Sequence, residues 1–284
     1  MTLVAKTIAL LAILLITIGA TGSGSNISQF VYLNNPETLK TTGILHQKKY
    51  SQNTNARYFF HYVNGTKSKQ NFKIKSNYIV KDLKIAYDIH KRPEFAGSNS
   101  ISKFMNSKSD NSKVEYDIVL NPKETISGIF EGTVLQNDEI QFSFGPGNKL
   151  IAKDLYQEKY NFDIDLDVNT KNNAKFRLGN PIKDTVAGQY GSNINLLINP
   201  KEDGILKLSF SPRGGEGLLV FENRGKIYNT DIKSAYKNYD VILIPVEKGK
   251  QEKFTFIPIG GLNYPIELCF SLHTEILKEA NTVI

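Results

Sequence analysis

Alternation of apolar and polar residues runs through most of this 284-residue chain, and it restricts the possible folds more than any other feature. In KVEYDIVL, Val114, Tyr116, Ile118 and Leu120 share one face, while Glu115 and Asp117 share the other. In EIQFSFG, Ile140, Phe142 and Phe144 oppose Glu139, Gln141 and Ser143, and DIDLDV, ILKLSF and IELCFSL repeat the pattern. A period of two sends alternate side chains to opposite faces of a strand, so these segments predict half-buried antiparallel strands. Turn signals punctuate them at Asn64-Gly65, Asn121-Pro122, Gly145-Pro146-Gly147, Asn180-Pro181, Asn199-Pro200, Gly214-Gly215 and Gly260-Gly261. Short strands with regular turns predict an all-β chain of two tandem antiparallel β-sandwich (Ig-like) domains.

Helix is scarce. SNSISKFMNS is the best candidate, with Ser98–Ser100 available as caps and Ile101, Phe104 and Met105 on one face; it reads as a short connector. The C-terminal HTEILKEA offers another turn of helix.

The expected organisation is a signal peptide over 1–22, a polar extended arm over 23–56, and sandwich domains over 57–150 and 151–284. The first segment carries Lys6, then an apolar run from about Thr7 to Ile18, then small residues with Ala20 and Gly22 placed for cleavage. An uncleaved anchor is the alternative, since the run approaches the ~18 apolar residues at which spanning becomes plausible. The arm is rich in Asn, Thr, Ser and Lys. Two units are also suggested by VLNPKETISGIF and LINPKEDGILKLSF, each a strand, then Asn-Pro-Lys-Glu, then another strand. Duplication and the chance recurrence of a short turn both account for that similarity.

Cys269 is the only cysteine, so no intramolecular disulfide exists and packing alone must hold an exported chain together. The formal charge is +7. Outside a cell that excess favours anionic wall polymer, acidic lipid or polysaccharide over nucleic acid, though it also serves solubility.

Candidate sites are sparse. SPRGGEGLLVFENRGK sets Arg213 beside two glycines, but the residues after it are β-like and no Gly-Lys-Ser/Thr follows, so it reads as a turn and not a phosphate loop. Asp163, Asp165 and Asp167 share a strand face, yet the glycine and glutamate of an EF-hand are replaced by Val168 and Ala174. His46, His61, His90 and His273 show no paired metal spacing, so neither a metal nor another cofactor is expected. Cys269 and His273 share a face but lie too far apart along a strand to hydrogen-bond directly. No G-x-S-x-G motif occurs, and the absence of tryptophan weakens a carbohydrate platform that tyrosines would have to supply.

ARYFFHYVNGTKSKQNFKIKS, LKLSFSPRGGEGLLVFENRGKIY and FIPIGGLNYPIEL together resemble a group of uncharacterised secreted proteins of spore-forming Gram-positive bacteria. The shared features are an aromatic strand, an N-x-T turn, a P-R-G-G turn and a closing P-x-G-G-x-N-Y-P strand, spread over Arg57 to Phe270. Some of those proteins are labelled copper amine oxidase-like through an attached stalk domain that is not evident in this chain. The resemblance implies an exported β-rich envelope protein with no established activity, and it gives no reason to expect copper. The expected function is therefore non-catalytic binding of an anionic wall polymer or a protein partner through loops at a sandwich end, with Arg213 and Tyr264 as contacts. A secreted glycan hydrolase using two convergent carboxylates, and a structural subunit that assembles by strand addition of the arm, are the alternatives.

Overall fold

The computed structural model describes residues 29–157, 161–178, 190–212, 217–232, 237–258 and 266–274. These build eighteen strands and one helix. The all-β expectation holds at that level.

Sheet A takes β1 (Gln29–Leu33), β2 (Thr38–Leu39), β3 (Gly43–Tyr50), β4 (Thr54–Asn64), β5 (Gln70–His90), β6 (Asp110–Leu120), β7 (Thr125–Val134), β8 (Asp138–Phe144) and β9 (Leu155–Gln157). Its order is β3-β8-β5-β7-β4-β1-β9, with β2 on β4 and β6 on β5. The long β5 makes this sheet curl. Its first part pairs with β8 over Phe72–Lys75 and its second part with β7 over Val80–His90. Between them the pairing with β6 shifts register at Lys75/Ile79, and Asp82 takes a φ of 51°. Bulges of this kind bend a strand and raise its twist. β5 thus carries two half-sheets, β8 with β3 and β7 with β4, folded toward one another.

The inward face of the curl is packed with rings. Phe60 stacks on Phe72 at 5.4 Å between centroids, and Tyr58 lies 5.0 Å from Phe142 and 5.3 Å from Phe130. Gly128 of β7 is required here, because a Cβ would meet Phe60 Cζ at 2.3 Å and the Ala86 carbonyl at 2.7 Å. The two ends of the strand order are joined by side chains. Lys48 of β3 donates to Gln29 of β1 at 2.9 Å and sits 4.4 Å above the Tyr156 ring of β9.

Sheet B takes β10 (Asn161–Val168), β12 (Asn193–Pro200), β17 (Glu252–Phe256), β14 (Gly217–Asn223) and β15 (Lys226–Ile232) in that order. Sheet C takes β11 (Ala174–Leu178), β18 (Ile266–His273), β13 (Gly204–Pro212) and β16 (Tyr239–Val246). Their inner faces share one core, in which Phe254 of β17 lies 4.9 Å from Phe270 of β18. The β14–β15 hairpin turns on Arg224 and Gly225, both at positive φ, which is the geometry whose twist matches paired strands.

The helix α1 (Pro93–Asn106) lies between sheet A and sheet B. Pro93 opens it, and Arg92 before the proline is extended, as the proline ring requires. Glu94 in the first turn and Lys103 in the last oppose the helix dipole. Ala96, Ile101 and Phe104 are buried, and Ile101 and Phe104 join a core that includes Phe59, Ala86 and Ile129 of sheet A and Val220 of sheet B. Full burial of Ile101 is worth roughly 1.5–3 kcal/mol.

Several particulars differ from the sequence reading. The helix begins five residues before Ser98 and serves as an interlayer, not a connector. The stretch expected as an arm, Ser23–Ala56, supplies in its described part β1, β2, β3 and the start of β4. Its polar residues misled because β1 and β3 keep their apolar ones, Phe30–Leu33 and Leu45, for the cores. β9 pairs with β1, so the division between sheets falls after Gln157 and not at 150/151. Both Asn-Pro-Lys-Glu segments join strands that do not pair with each other, β6 to β7 and β12 to β13. HTEILKEA, from Glu275 onward, and the leader over 1–22 lie outside the described residues. Among the described residues, no helix is long and apolar enough to cross a membrane.

Candidate functional site

Register on the outward face of sheet A brings unlike side chains into rows. Arg57 of β4 faces Glu131 of β7, which faces Lys84 of β5. Two residues on, Phe59, Ile129 and Ala86 form an apolar row, followed by His61, Ser127 and Asp88.

The first row walls a cleft of about 280 Å³, closed by Phe104 and Met105 of α1 and by Asn193, Glu222, Ile227 and Thr255 of sheet B. Arg57 is 1% exposed; its Nη1 donates to Glu131 Oε2 and its Nη2 to Asn193 Oδ1, each at 3.1 Å. A buried guanidinium needs such partners, because an unpaired charge in this setting would cost several kcal/mol. The Phe104 ring lies 4.4 Å from Lys84 Nζ and 5.4 Å from the Arg57 guanidinium carbon. Burial pulls Lys84 below the usual lysine range, with Glu131 opposing the shift and Arg57 adding to it. A second cleft of about 310 Å³ adjoins the first past Lys84 and Glu131, and is lined by Asn55, Asp82, Ser109 and Thr133. On the facing sheet, Asn195 donates to Asp163 at 2.7 Å and Thr255 to Asn195 at 2.9 Å, a hydrogen-bonded ladder that ends at the cleft.

Two carboxylates therefore line one cleft, as the hydrolase alternative needs. Each is already committed: Glu131 to Arg57, and Glu222 to the Gly225 amide at 2.6 Å. The His61–Ser127–Asp88 row has the composition of a hydrolytic triad but not its bonding. Ser127 Oγ and both His61 nitrogens are buried without hydrogen bonds, and Asp88 accepts from Asn99 and Lys103 of the covering helix. His61 Nε2 instead lies 3.6 Å from Glu37 Oε1, whose carboxyl it holds below the usual range.

A second cluster closes the curl. His46, fully buried, places Nδ1 2.9 Å from Asp154 Oδ1, while Tyr156 donates to Asp154 Oδ2 at 3.0 Å and Tyr58 to Tyr50 at 2.5 Å. Burial, with Asp154 nearby, pushes Tyr156 up to about 12.

The third feature is one end of sheet A, where four loops meet. Gly65 donates to the Leu39 carbonyl, Lys123 to Asn64, Ile44 to Lys149 and Lys153 to Asn35, all through backbone amides. These contacts gather Lys40, Lys67, Lys69, Lys123, Lys149 and Lys153, all exposed, beside Lys91 and Arg92. The acids at this end are occupied. Glu124 bonds Asn121 and is held below its usual range chiefly by that bond, with Lys91 and Lys69 adding to it. Glu94 pairs with Arg92 and Glu37 with His61.

Arg213 and Tyr264, the residues the sequence singled out, both lie outside the described residues. The strands before and after Arg213 belong to different sheets, β13 to sheet C and β14 to sheet B. Asp163, Asp165 and Asp167 share the face expected, and each has a protein partner: Asn195, Gln251 with Asn199, and Lys201. His273 bonds Ser271 at 3.1 Å. Sequence reasoning missed the Arg57–Glu131–Lys84 row. Its signal was a charge within an otherwise apolar strand, Arg57 in NARYFFHYV, on the same face as Phe59 two residues on.

Comparison with protein families and with curated proteins finds no match. Among solved structures, a multicopper oxidase from Campylobacter jejuni is 10% identical, with 72% of this chain and 48% of that one covered and a TM-score of 0.15. Lac15 from a marine microbial metagenome is 9% identical over 79% and 54%, with a TM-score of 0.20. Fet3p, a multicopper oxidase that functions in iron import, is 11% identical over 77% and 52%, with a TM-score of 0.17. The chain spans about half the length of these proteins, and likenesses at these TM-scores carry no argument about what it does.

Proposed function

We propose that this chain is an exported, non-catalytic envelope protein that binds an anionic wall polymer through the basic end of sheet A. One observation carries the reading: exposed lysines from four separate loops converge there while the neighbouring carboxylates are tied up in partners. A polyanion meeting such a surface releases counterions and is held over many weak contacts, without a shaped pocket. The resemblance to secreted Gram-positive proteins supports an extracellular location. The tandem-sandwich organisation belongs to the same reading: sheets B and C enclose one core, and sheet A folds about β5 to enclose another. Strand addition by the arm is less favoured, because β1 is already paired on both sides, with β4 and β9.

Co-sedimentation of Ser23–Ile284 with purified Gram-positive walls tests this, before and after teichoic acid is stripped and across a salt series. Binding that disappears on stripping and at high salt, and that weakens several-fold in a Lys67→Gln, Lys69→Gln, Lys123→Gln variant, is expected. Wall binding indifferent to all three, or none at low salt, would sink the polymer reading and point to a protein partner.

A further inference from the structure

We propose that the cleft between the Arg57–Glu131–Lys84 row and sheet B binds a small sugar acid, with its carboxylate on Lys84 and its hydroxyls on the Thr255 and Glu222 side. The charge arrangement comes first. Arg57 and Glu131 neutralise each other at 3.1 Å, which leaves Lys84 as the row's third member. Among the described residues Lys84 has no hydrogen-bond or ion-pair partner, although it is half-buried against the Phe104 ring. Partial burial of an ammonium is costly unless something compensates it, and a ligand anion at the cleft would do so. Its lowered proton affinity has that same origin.

The opposite wall selects for hydroxyls. Thr255 spends its proton on Asn195 Oδ1 and presents its oxygen lone pairs to the cleft it lines. Glu222 Oε1 takes the Gly225 amide, and a carboxylate has further acceptor capacity on its second oxygen. Acceptors in this position bind a ligand's O–H groups and repel a second negative charge. The lining holds two cations, Arg57 and Lys84, and two carboxylates, Glu131 and Glu222, so a phosphate dianion meets more repulsion there than a monoanion does. A monoanionic polyol fits this distribution, and Met105, Ile227 and Ile257 offer an apolar wall for its C–H face. The size agrees as well. About 280 Å³ is at the small end of ligand pockets, and the adjoining cleft of about 310 Å³ gives room for a second ring.

Calorimetric titration of the full-length protein with D-glucuronate, D-glucose and acetate tests the proposal. Saturable glucuronate binding is expected, with glucose and acetate each weaker by about tenfold or more. Lys84→Gln should weaken glucuronate binding by about tenfold while the melting curve stays in place, and Lys84→Arg should keep it within about threefold. The basic-end variant Lys69→Gln, Lys123→Gln should bind glucuronate as the parent does, which separates this site from the polymer surface. Absence of saturable glucuronate binding at millimolar concentration overturns the proposal, as does binding that Lys84→Gln leaves unchanged. Equal affinity for acetate removes the sugar from it, equal affinity for glucose removes the charge, and loss in the basic-end variant relocates the anion; each of these also overturns it.

Discussion

Arg57 places a permanent positive charge on a side chain that water scarcely reaches, and its partners come from elements far apart in the chain: Glu131 from β7 and Asn193 from β12. Removing it strands both partners and opens a void. Arg57→Ala is expected to lower stability by about 3–5 kcal/mol in urea denaturation, well beyond the effect of an exposed arginine. Asp154 acts in the opposite sense to an ordinary buried acid. Burial alone would raise its pKa, but His46, Tyr156 and Lys48 together hold it below the usual value of 3.8. A carboxylate depressed on folding stabilises the native state above its unfolded pKa, and that contribution is lost as pH falls through the folded one. Asp154→Asn should therefore cost about 1–3 kcal/mol near neutral pH, and its deficit should shrink as the parent is titrated below about pH 4. Equal deficits at pH 7 and pH 3 in parallel melts would count against the assignment. Neither residue was visible as a site beforehand, because a lone arginine in NARYFFHYV and a lone aspartate in KDLY look like surface charge until their partners are known.

Strands were legible because alternation is a local property: β6, β8, β10, β13 and β18 all fall on segments where apolar residues recur every second position. Which strands become neighbours is set by long-range pairing, and alternation says nothing about that. β1 shows the gap most clearly. QFVYL has two polar or half-polar positions among five and sits in an asparagine-rich stretch, so it reads as an arm; yet it occupies the interior of sheet A, parallel to β4 and antiparallel to β9. Phe30 and Tyr32 face one core while Val31 and Leu33 face the other, so both faces are buried and the strand loses the alternation that marks a half-exposed one. Deleting residues up to Leu33 should accordingly abolish cooperative unfolding of sheet A and expose β9 to proteolysis. An arm would be trimmed with no change in the melting curve, so limited proteolysis beside calorimetry decides between the two. The helix was legible in its second half and not in its first, since Pro93-Glu94-Phe95-Ala96-Gly97 carries a start signal but little periodicity.

At the largest scale, the described residues form three sheets and one helix that stack so that one core runs from the outward face of sheet A through α1 and sheet B to sheet C, with a second core inside the curl. The layering explains why the basic end and the cleft are separate. The basic end is a meeting of loops, whereas the cleft is a gap between layers where the apolar seam of Phe59, Ile129 and Ala86 gives way to charge. Composition announced the excess of lysine but not its gathering at one end, which depends on the same pairings that placed β1. Those pairings also order events in time. β1 is made before either of its neighbours, and β9 follows only once the remainder of sheet A has been synthesised. At about 5–20 residues per second, β1 waits on the order of ten seconds for its second partner, during which β4 is the one neighbour it can pair with. A chain built this way depends on being shielded early in its life, and the demand falls on whatever holds its leading segment before the sheet can close.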